Sequence, residues 1–238
     1  MDHFFVHPKD VRDRVATIRG EEFNHLARVV RKKEGEQIML VDGEGRSFEV
    51  VIRLIDRTHA ECEILNTQHR LNEPTTVVTL AVSLLRNPAR FDFLVEKTTE
   101  LGVRSIVPLL CERTIPRSEK HTRFEKIALS AMKQCGRSYL PKIHELSTFE
   151  MLVSEAQEYS LRLIPHEKTE QSQFIGSVLK NHPSVNSVLV AIGPEGGFTE
   201  LEIAVAIENG FMPISLGPRR LRTETAAISA VTWLVGGA

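Results

Sequence analysis

The chain has 238 residues, of which 42% are hydrophobic and 26% charged, and its formal net charge is −1 at pH 7. This composition is typical of an ordinary soluble protein with one large or two modest cores. The near-zero charge excludes a general attraction to phosphate, so any nucleic-acid binding must depend on local clusters of basic residues.

The sequence also disfavours a membrane protein and a metal-binding protein. The longest apolar stretch, around residues 77–85, is far shorter than a membrane span, and the N-terminal MDHFFVHPKD lacks the basic start of a signal peptide. The three cysteines, Cys62, Cys111 and Cys135, form no CxxC pair, which favours reduced thiols over disulfides or zinc. We therefore expect a cytoplasmic protein without a metal.

The first seventy residues have the pattern of a small β domain. A helical spacing of apolar residues covers residues 21–33, and short, partly alternating segments follow at residues 36–41, 47–55 and 59–65. Such a run of strands and turns predicts a small barrel, either SH3-like or OB-like. The polar stretch 66–74 closes with a proline and is the predicted linker, which gives domains at 1–70 and 74–238.

From residue 77 the pattern predicts an α/β domain. Strands are expected at 77–84, 103–110 and 160–164, and helices at 90–101, 123–136, 149–158 and 174–180. Alternation of this kind favours a mostly parallel sheet covered on both faces.

Two glycine loops near the end of the chain each follow a predicted buried strand. Strand 187–192 leads into Gly193-Pro-Glu-Gly-Gly197, and strand 211–216 leads into Gly217-Pro218 before a helix at 223–235. Between the loops, Thr199 and Glu202 have the spacing of a helix capping box. Glycine lets a ligand approach backbone groups, and ligands of such sheets bind at the carboxyl ends of the strands. Because the chain has neither G-x-x-x-x-G-K-[ST] nor G-x-G-x-x-G, a nucleotide hydrolase is disfavoured.

A basic segment lies between residues 113 and 142. It contains eight basic residues and only two acidic ones, and a smaller cluster lies near residue 30. These clusters favour phosphate contact over base stacking, because aromatic residues are scarce there. The alternative interpretation is that these basic residues only form the solvent-exposed face of a helix. The residues we select for RNA binding are Arg28, Arg31, Lys32, Arg113, Arg117, Arg123, Lys133 and Arg137.

Several motifs together resemble one family. IGPEGGF at residues 192–198 and LGPRRLRTETAA at 216–227 are similar to segments of the 16S ribosomal RNA uridine-N3 methyltransferases of the SPOUT superfamily. His25-Leu-x-x-Val-x-Arg31, EKTTELGV at 96–103 and Gln134-x-x-Arg137 extend the resemblance over nearly the whole chain. One departure is Lys133, where the family tends to carry an acidic residue.

The resemblance implies a fold, a cofactor and partners. It implies a PUA-like barrel, a SPOUT domain with a deep trefoil knot, S-adenosylmethionine as cofactor, 16S ribosomal RNA of the small subunit as substrate, and a homodimer. The nearly all-round apolar last helix independently favours a subunit partner. The cofactor-binding residues expected on this basis are Ile164, Pro165, Ile192, Gly193, Pro194, Glu195, Gly196, Gly197, Leu216, Gly217, Arg220, Leu221, Arg222, Thr223 and Thr225.

The chemistry suggests catalytic roles for two residues. Loss of the N3 proton of uridine leaves negative charge that a cation can stabilise, so we assign Arg222 to that charge and Glu224 to proton handling. A salt bridge from Arg222 to Glu224 or Glu195 is the structural alternative. His166 follows a strand that the family places beside the cofactor.

Two alternative functions stay open. An RNA-binding ribosome-assembly factor would need only the barrel and the basic segment. A methyltransferase could also act on another RNA or base atom, and carbon-5 methylation would need a thiolate such as Cys135.

Overall fold

A computed structural model describes residues 2–167 and 173–236 of the chain. Its contacts group into two compact units. The N-terminal unit comprises Met1–Glu73 and Leu129–Leu140, and the C-terminal unit comprises Pro74–Ala128 and Pro141–Ala238. The predicted division at residues 70–74 assigns residues 129–140 to the second domain, whereas their contacts place them in the N-terminal unit.

The N-terminal unit is built on a six-stranded sheet with the order β1-β4-β5-β6-β3-β2. The β1–β4 pair is parallel and the other pairs are antiparallel. Apolar residues from these strands, with Phe23 and Leu26 from the helical segment, form its core. The strands are β1 (His3–Phe5), β2 (Val11–Arg12), β3 (Val15–Arg19), β4 (Gln37–Val41), β5 (Arg46–Ile55) and β6 (His59–His69).

Two features of this unit differ from the sequence prediction. Strand β6 extends to His69, through residues expected to form a linker, because β5 pairs with it as far as the Arg46–His69 pair. The predicted helix is present as α1 (Gly20–Asn24) continued by a π-helical segment (His25–Val30), and it ends at Arg31 with a left-handed φ of 58°. The three short strands β1 to β3 were not predicted.

Residues 129–140 make several contacts within the N-terminal unit, and a buried one is with Glu73. The Arg137 guanidinium pairs with the Glu73 carboxylate at 2.7 Å, and their side chains are 2% and 3% exposed. The backbone N–H groups of Ser138 and Tyr139 donate to the same carboxylate, each at 2.9 Å. A buried ion pair of this kind is sustained only by such additional hydrogen bonds.

The C-terminal unit contains a seven-stranded sheet in which every pairing is parallel. Its order is β10-β8-β7-β12-β11-β13, with β9 also paired to β8. Residues 78–83 and 188–192 are buried along their whole length, so both faces of the central strands are covered, as predicted. The strands are β7 (Val77–Ser83), β8 (Ser105–Leu110), β9 (Lys142–Ile143), β10 (Ser147–Thr148), β11 (Leu161–Pro165), β12 (Ser187–Ile192) and β13 (Met212–Ile214).

The predicted end of α2 and the predicted start of α6 are present, whereas the cap that starts α2 was not predicted. Asn87 caps α2 by accepting the N–H of Ala89, and the helix ends at Gly102 with φ 114°. The capping box of Thr199 and Glu202 starts α6. None of the described helices is long and apolar enough to cross a membrane. The later helices are α2 (Pro88–Leu101), α3 (His121–Cys135), α4 (Phe149–Glu155), α5 (Ile175–Asn181), α6 (Glu200–Glu208) and α7 (Thr223–Gly236).

Candidate functional site

Three neighbouring strands of the C-terminal unit end at one cavity. Strands β12, β11 and β13 are adjacent and parallel, so their carboxyl ends lie at the same edge of the sheet. The cavity has a volume of about 550 Å³, and residues that follow each of the three strands line it. This is the position at which open α/β sheets bind ligands.

The first glycine loop, residues 193–197, is a tight turn in which two glycines are favoured for different reasons. Gly197 has a left-handed φ of 69° and donates its N–H to the Pro194 carbonyl at 2.8 Å. A Cβ on Gly193 would lie 3.1 Å from the backbone nitrogen of Phe198, which is too close without a backbone shift. The loop can therefore bring its backbone groups next to a ligand.

The second glycine loop is tied to the first by a hydrogen bond. The Thr223 hydroxyl donates to the Gly193 carbonyl at 3.1 Å. Within the second loop, Gly217 has a φ of 111° and its N–H donates to the Ser215 hydroxyl at 3.2 Å. The two loops predicted separately from the sequence thus form one wall of the cavity.

Arg113 holds the first loop from the side. Its guanidinium donates to the carbonyl oxygens of Gly196 at 2.8 Å and Phe198 at 3.4 Å. The neighbouring backbone is held as well, because the N–H of Glu112 donates to the Glu202 carboxylate at 2.9 Å. We expected Arg113 to contact RNA phosphate, and the structure places it in the cavity lining. No local sequence pattern signals a contact between residues so far apart in the chain.

Most residues predicted to bind a cofactor lie around this cavity. Two do not: Ile164 is completely buried in β11, and Thr225 points to solvent on α7. His166 and Phe198 line the cavity although neither was in the predicted set. The predicted residues in the lining are Pro165, Ile192, Gly193, Pro194, Glu195, Gly196, Gly197, Leu216, Gly217, Arg220, Leu221, Arg222 and Thr223.

The two predicted catalytic residues lie in different surroundings. Arg222 is an exposed residue of the cavity lining, and no carboxylate of the described residues forms an ion pair with it. Glu224 lies outside the lining, is 8% exposed, and has the Arg90 guanidinium at 3.7 Å. The alternative in which Arg222 pairs with Glu224 is therefore not formed, and the geometry does not bring Glu224 to the cavity for proton handling.

The cysteines offer no nucleophile at this site. Burial raises the pKa of both Cys62 and Cys111 to about 12, which keeps these thiols protonated at neutral pH. Cys135 is also absent from the lining. The thiolate needed for carbon-5 methylation is therefore missing among the described residues around the cavity.

The residues predicted to bind RNA divide into exposed and internally paired groups. Arg28, Arg31 and Arg117 are exposed. Lys32 pairs with Asp2 and Glu36, Lys133 with Glu22, and Arg123 with Asp92. Arg137 is buried against Glu73, so its guanidinium is not available to a phosphate, which corrects that prediction.

Comparisons with known proteins identify the family. The family model for the RNA methyltransferase domain matches residues 72–235, and the model for the RNA methyltransferase PUA domain matches residues 18–65. Ribosomal RNA small subunit methyltransferase E of Synechocystis sp. is 34% identical over 229 residues, which cover 95% of this chain and 74% of that protein.

Two solved structures support the same assignment. One is a ribosomal RNA small subunit methyltransferase E from Neisseria gonorrhoeae bound to S-adenosyl methionine, with 31% identity and a TM-score of 0.87 over 97% of this chain and 95% of that chain. The other is a Legionella pneumophila protein in complex with bound SAM, with 29% identity and a TM-score of 0.83 over 98% and 96% of the two chains. These findings confirm the resemblance found in the sequence, and the chain belongs to the RNA methyltransferase family that includes ribosomal RNA small subunit methyltransferase E.

Proposed function

We propose that this protein transfers a methyl group from S-adenosylmethionine to N3 of a uridine in 16S ribosomal RNA of the small subunit. The observation that carries the proposal is the cavity at the ends of β11, β12 and β13, walled by two glycine loops that Thr223 joins. Relatives named as small-subunit ribosomal RNA methyltransferases support the reaction class and the RNA. The methylated atom rests on the sequence resemblance.

The residues present fit the cofactor. A cavity of about 550 Å³ lies within the roughly 300–1,000 Å³ range of small-molecule sites. Backbone groups of residues 193–197 and 216–217 would hold the polar edges of the adenine and ribose, while Pro165, Ile192 and Leu221 supply apolar contacts. When bound, the cofactor supplies an electrophilic methyl group.

Arg222 is the residue we assign to charge stabilisation. Removal of the N3 proton places negative charge on the two carbonyl oxygens that flank N3, and a guanidinium beside the base lowers the free energy of that state. The exposed position of Arg222 in the lining, where it forms no ion pair with the described residues, supports this role. Alignment of donor and acceptor in the cavity supplies the rest of the acceleration.

We assign RNA binding to exposed cations in both units. Arg28 and Arg31 of the N-terminal unit and Arg117 of the C-terminal unit are free of ion pairs with described residues, and phosphate contacts from such side chains orient an RNA without reading its sequence. In this proposal the domain at 1–70 binds RNA and the domain at 74–238 carries out the transfer. Because its relatives act on ribosomal RNA, we expect the protein in the cytoplasm.

The cofactor site is tested by calorimetry. Titration of S-adenosylmethionine should show binding to the wild-type protein, and Gly193→Ala should weaken it, because the added methyl group requires Phe198 to move. Gly236→Ala is the matched control, since its Cβ would meet nothing within 4 Å. Undiminished affinity in a folded Gly193→Ala protein would count against a cofactor site formed by this loop. Lack of affinity in the wild type would favour the assembly-factor alternative.

The substrate is tested by reverse transcription of cellular 16S ribosomal RNA. A methyl group on N3 blocks the Watson–Crick edge, so the reverse transcriptase should stop one nucleotide before the site in normal cells and read through in a deletion strain. Complementation with the Gly236→Ala gene should restore the stop, and the Gly193→Ala gene should restore it less fully. A stop that does not depend on the gene would refute the proposed substrate, and a methyl group on carbon-5 would leave no stop.

We also propose that the C-terminal unit forms the trefoil knot that the resemblance implies. After β13 at one end of the sheet order, the chain returns to α7, which packs against α2 and the central strands β7 and β12. A chain that returns in this way can pass through a loop and form a knot, although knots are rare among protein folds. Single-molecule stretching tests this: a knotted chain should reach a shorter final contour length than its residue count gives, and the full length would refute it.

A further inference from the structure

Three potential metal ligands meet beside the start of α3, away from the methyltransferase cavity lining. Glu119 and His121 lie at the N-terminal end of this helix, and Glu145 lies just before β10. One ligand atom from each of the three side chains lies within 4.8 Å of the others. All three residues belong to the C-terminal unit.

Two atoms in this cluster are buried without a hydrogen-bond partner among the described residues. The side chain of Glu119 is only 9% exposed, and its Oε1 accepts the N–H of Leu146 at 3.0 Å, whereas Oε2 has no donor. Nδ1 of His121 is likewise unpartnered and lies 3.6 Å from Glu119 Oε1. Buried polar atoms without partners are costly, and a cation bound in this cluster is one way to satisfy them.

The other nitrogen of His121 lies close to a carboxylate. Nε2 lies 3.3 Å from Oε1 of Glu125, one turn further along α3. A histidine that binds a metal through one nitrogen usually donates the other N–H to a carboxylate, which fixes the tautomer and orients the ring. With Nε2 protonated, Nδ1 is free to donate its lone pair to a metal.

We propose that Glu119, His121 and Glu145 bind a divalent transition-metal ion. Zn²⁺ binds both imidazole nitrogens and carboxylate oxygens, and zinc sites with three protein ligands fill the fourth position with water. The absence of a CxxC pair in the sequence excludes only cysteine-based sites and does not bear on this cluster.

The ion would connect two segments of the C-terminal unit. Glu119 and His121 end the connection from β8 to α3, and Glu145 belongs to the segment between β9 and β10. The same connection carries Arg113, whose guanidinium supports the first glycine loop. A bound ion would therefore hold the far end of the segment that positions Arg113.

Metal binding is tested on the full-length protein without a histidine tag. Calorimetry with Zn²⁺ and absorbance with Co²⁺ should show one ion bound per chain. Glu119→Gln and His121→Asn should each weaken binding by more than about tenfold, because each removes a ligand. Zn²⁺ should also raise the thermal unfolding midpoint of the wild type but not of these variants.

Two further variants complete the test of metal binding: a control and a substitution of the exposed ligand. His59→Asn is the matched control, since His59 also lies beside two carboxylates, Asp56 at 2.9 Å and Glu61 at 3.5 Å, yet is not in a three-ligand cluster. It should bind Zn²⁺ as the wild type does. Glu145→Gln alters an exposed side chain, so it should fold even if Glu119→Gln does not, and it should lose affinity. No uptake in excess metal, or equal affinity in wild type and Glu145→Gln, would overturn the proposal.

Discussion

Arg222 stands in the cavity lining as an exposed cation, while the nearby Glu224 is engaged with Arg90. If Arg222 stabilises charge that develops on the base, Arg222→Ala should lower kcat by about a hundredfold and leave the affinity for S-adenosylmethionine largely unchanged. Single-turnover kinetics on ribosomal RNA and calorimetry measure the two quantities. Arg222→Lys keeps the charge and should recover part of the rate. A normal kcat in Arg222→Ala would remove this residue from the mechanism.

Arg113 distinguishes a positioning role from an RNA contact. Because its guanidinium donates to the carbonyls of Gly196 and Phe198, Arg113→Met should weaken cofactor binding about tenfold even without RNA, the loss expected for a charge-assisted hydrogen bond. Arg117→Met, an exposed cation on the same connection, is the control and should bind the cofactor normally. If Arg113→Met affected only RNA binding, the original sequence prediction for this residue would be correct.

The sequence reveals the glycines of the two loops more readily than the side chains that hold the loops in place. Gly193 and Gly217 stand out because a glycine after a strand is a local signal. The hydrogen bonds of Arg113 to Gly196, and of Thr223 to Gly193, join distant parts of the chain and leave no local pattern. The sequence therefore located the loops but not the side chains that hold them together.

Helix α6 begins at a complete capping box whose contribution can be measured. The Thr199 hydroxyl accepts the N–H of Glu202 at 3.2 Å, and the Glu202 carboxylate accepts the N–H of Thr199 at 2.7 Å. Thr199→Ala should lower the free energy of unfolding by about 1 kcal/mol, as measured by urea denaturation. Thr232→Ala is the control, because Thr232 is exposed inside α7 and only bonds back to Ile228. Equal stability of the two variants would show that the cap contributes nothing.

At the scale of elements, the helices and strands with strong local sequence signals were predicted correctly, and those with weak signals were not. Strand β12 is a continuous apolar run, and helix α2 ends at a glycine. Both were predicted to within two residues. The polar end of β6 is a strand only because β5 supplies its hydrogen-bond partners, and a pairing between strands overrides the polarity of residues 66–69. Short strands such as β1 and β9 depend on the same kind of pairing and carry too few residues for a pattern.

At the scale of the whole molecule, the order of α/β elements in residues 77–236 predicted the parallel sheet correctly. The assignment of residues 129–140 to the N-terminal unit could not be predicted, since it depends on contacts between distant parts of the chain. Glu73 binds Arg137, Ser138 and Tyr139, and Lys133 pairs with Glu22. Positive charge in this segment suggested RNA binding from the sequence. Burial of Arg137 shows that composition alone does not separate a structural cation from a surface one.

Assembly is the remaining property at this scale, and the homodimer expected from the sequence depends on α7. Packing within the C-terminal unit already buries Ala227, Ala230, Val231 and Leu234, which covers most of the apolar surface that suggested a partner. Trp233 remains 41% exposed, with its ring edge-on to Phe174 at 5.1 Å. An exposed tryptophan among apolar neighbours is a typical anchor of a subunit interface.

We therefore expect light scattering at micromolar concentration to give the mass of two chains. Trp233→Glu should shift the protein to a monomer, because a carboxylate buried between subunits would lack a partner and pay its desolvation cost. Leu65→Glu, which places the same charge at a 47% exposed apolar position on β6, is the control and should stay dimeric. Circular dichroism should confirm that both variants are folded. A wild-type protein with the mass of one chain would refute the dimer, and a dimeric Trp233→Glu protein would place the interface on another surface.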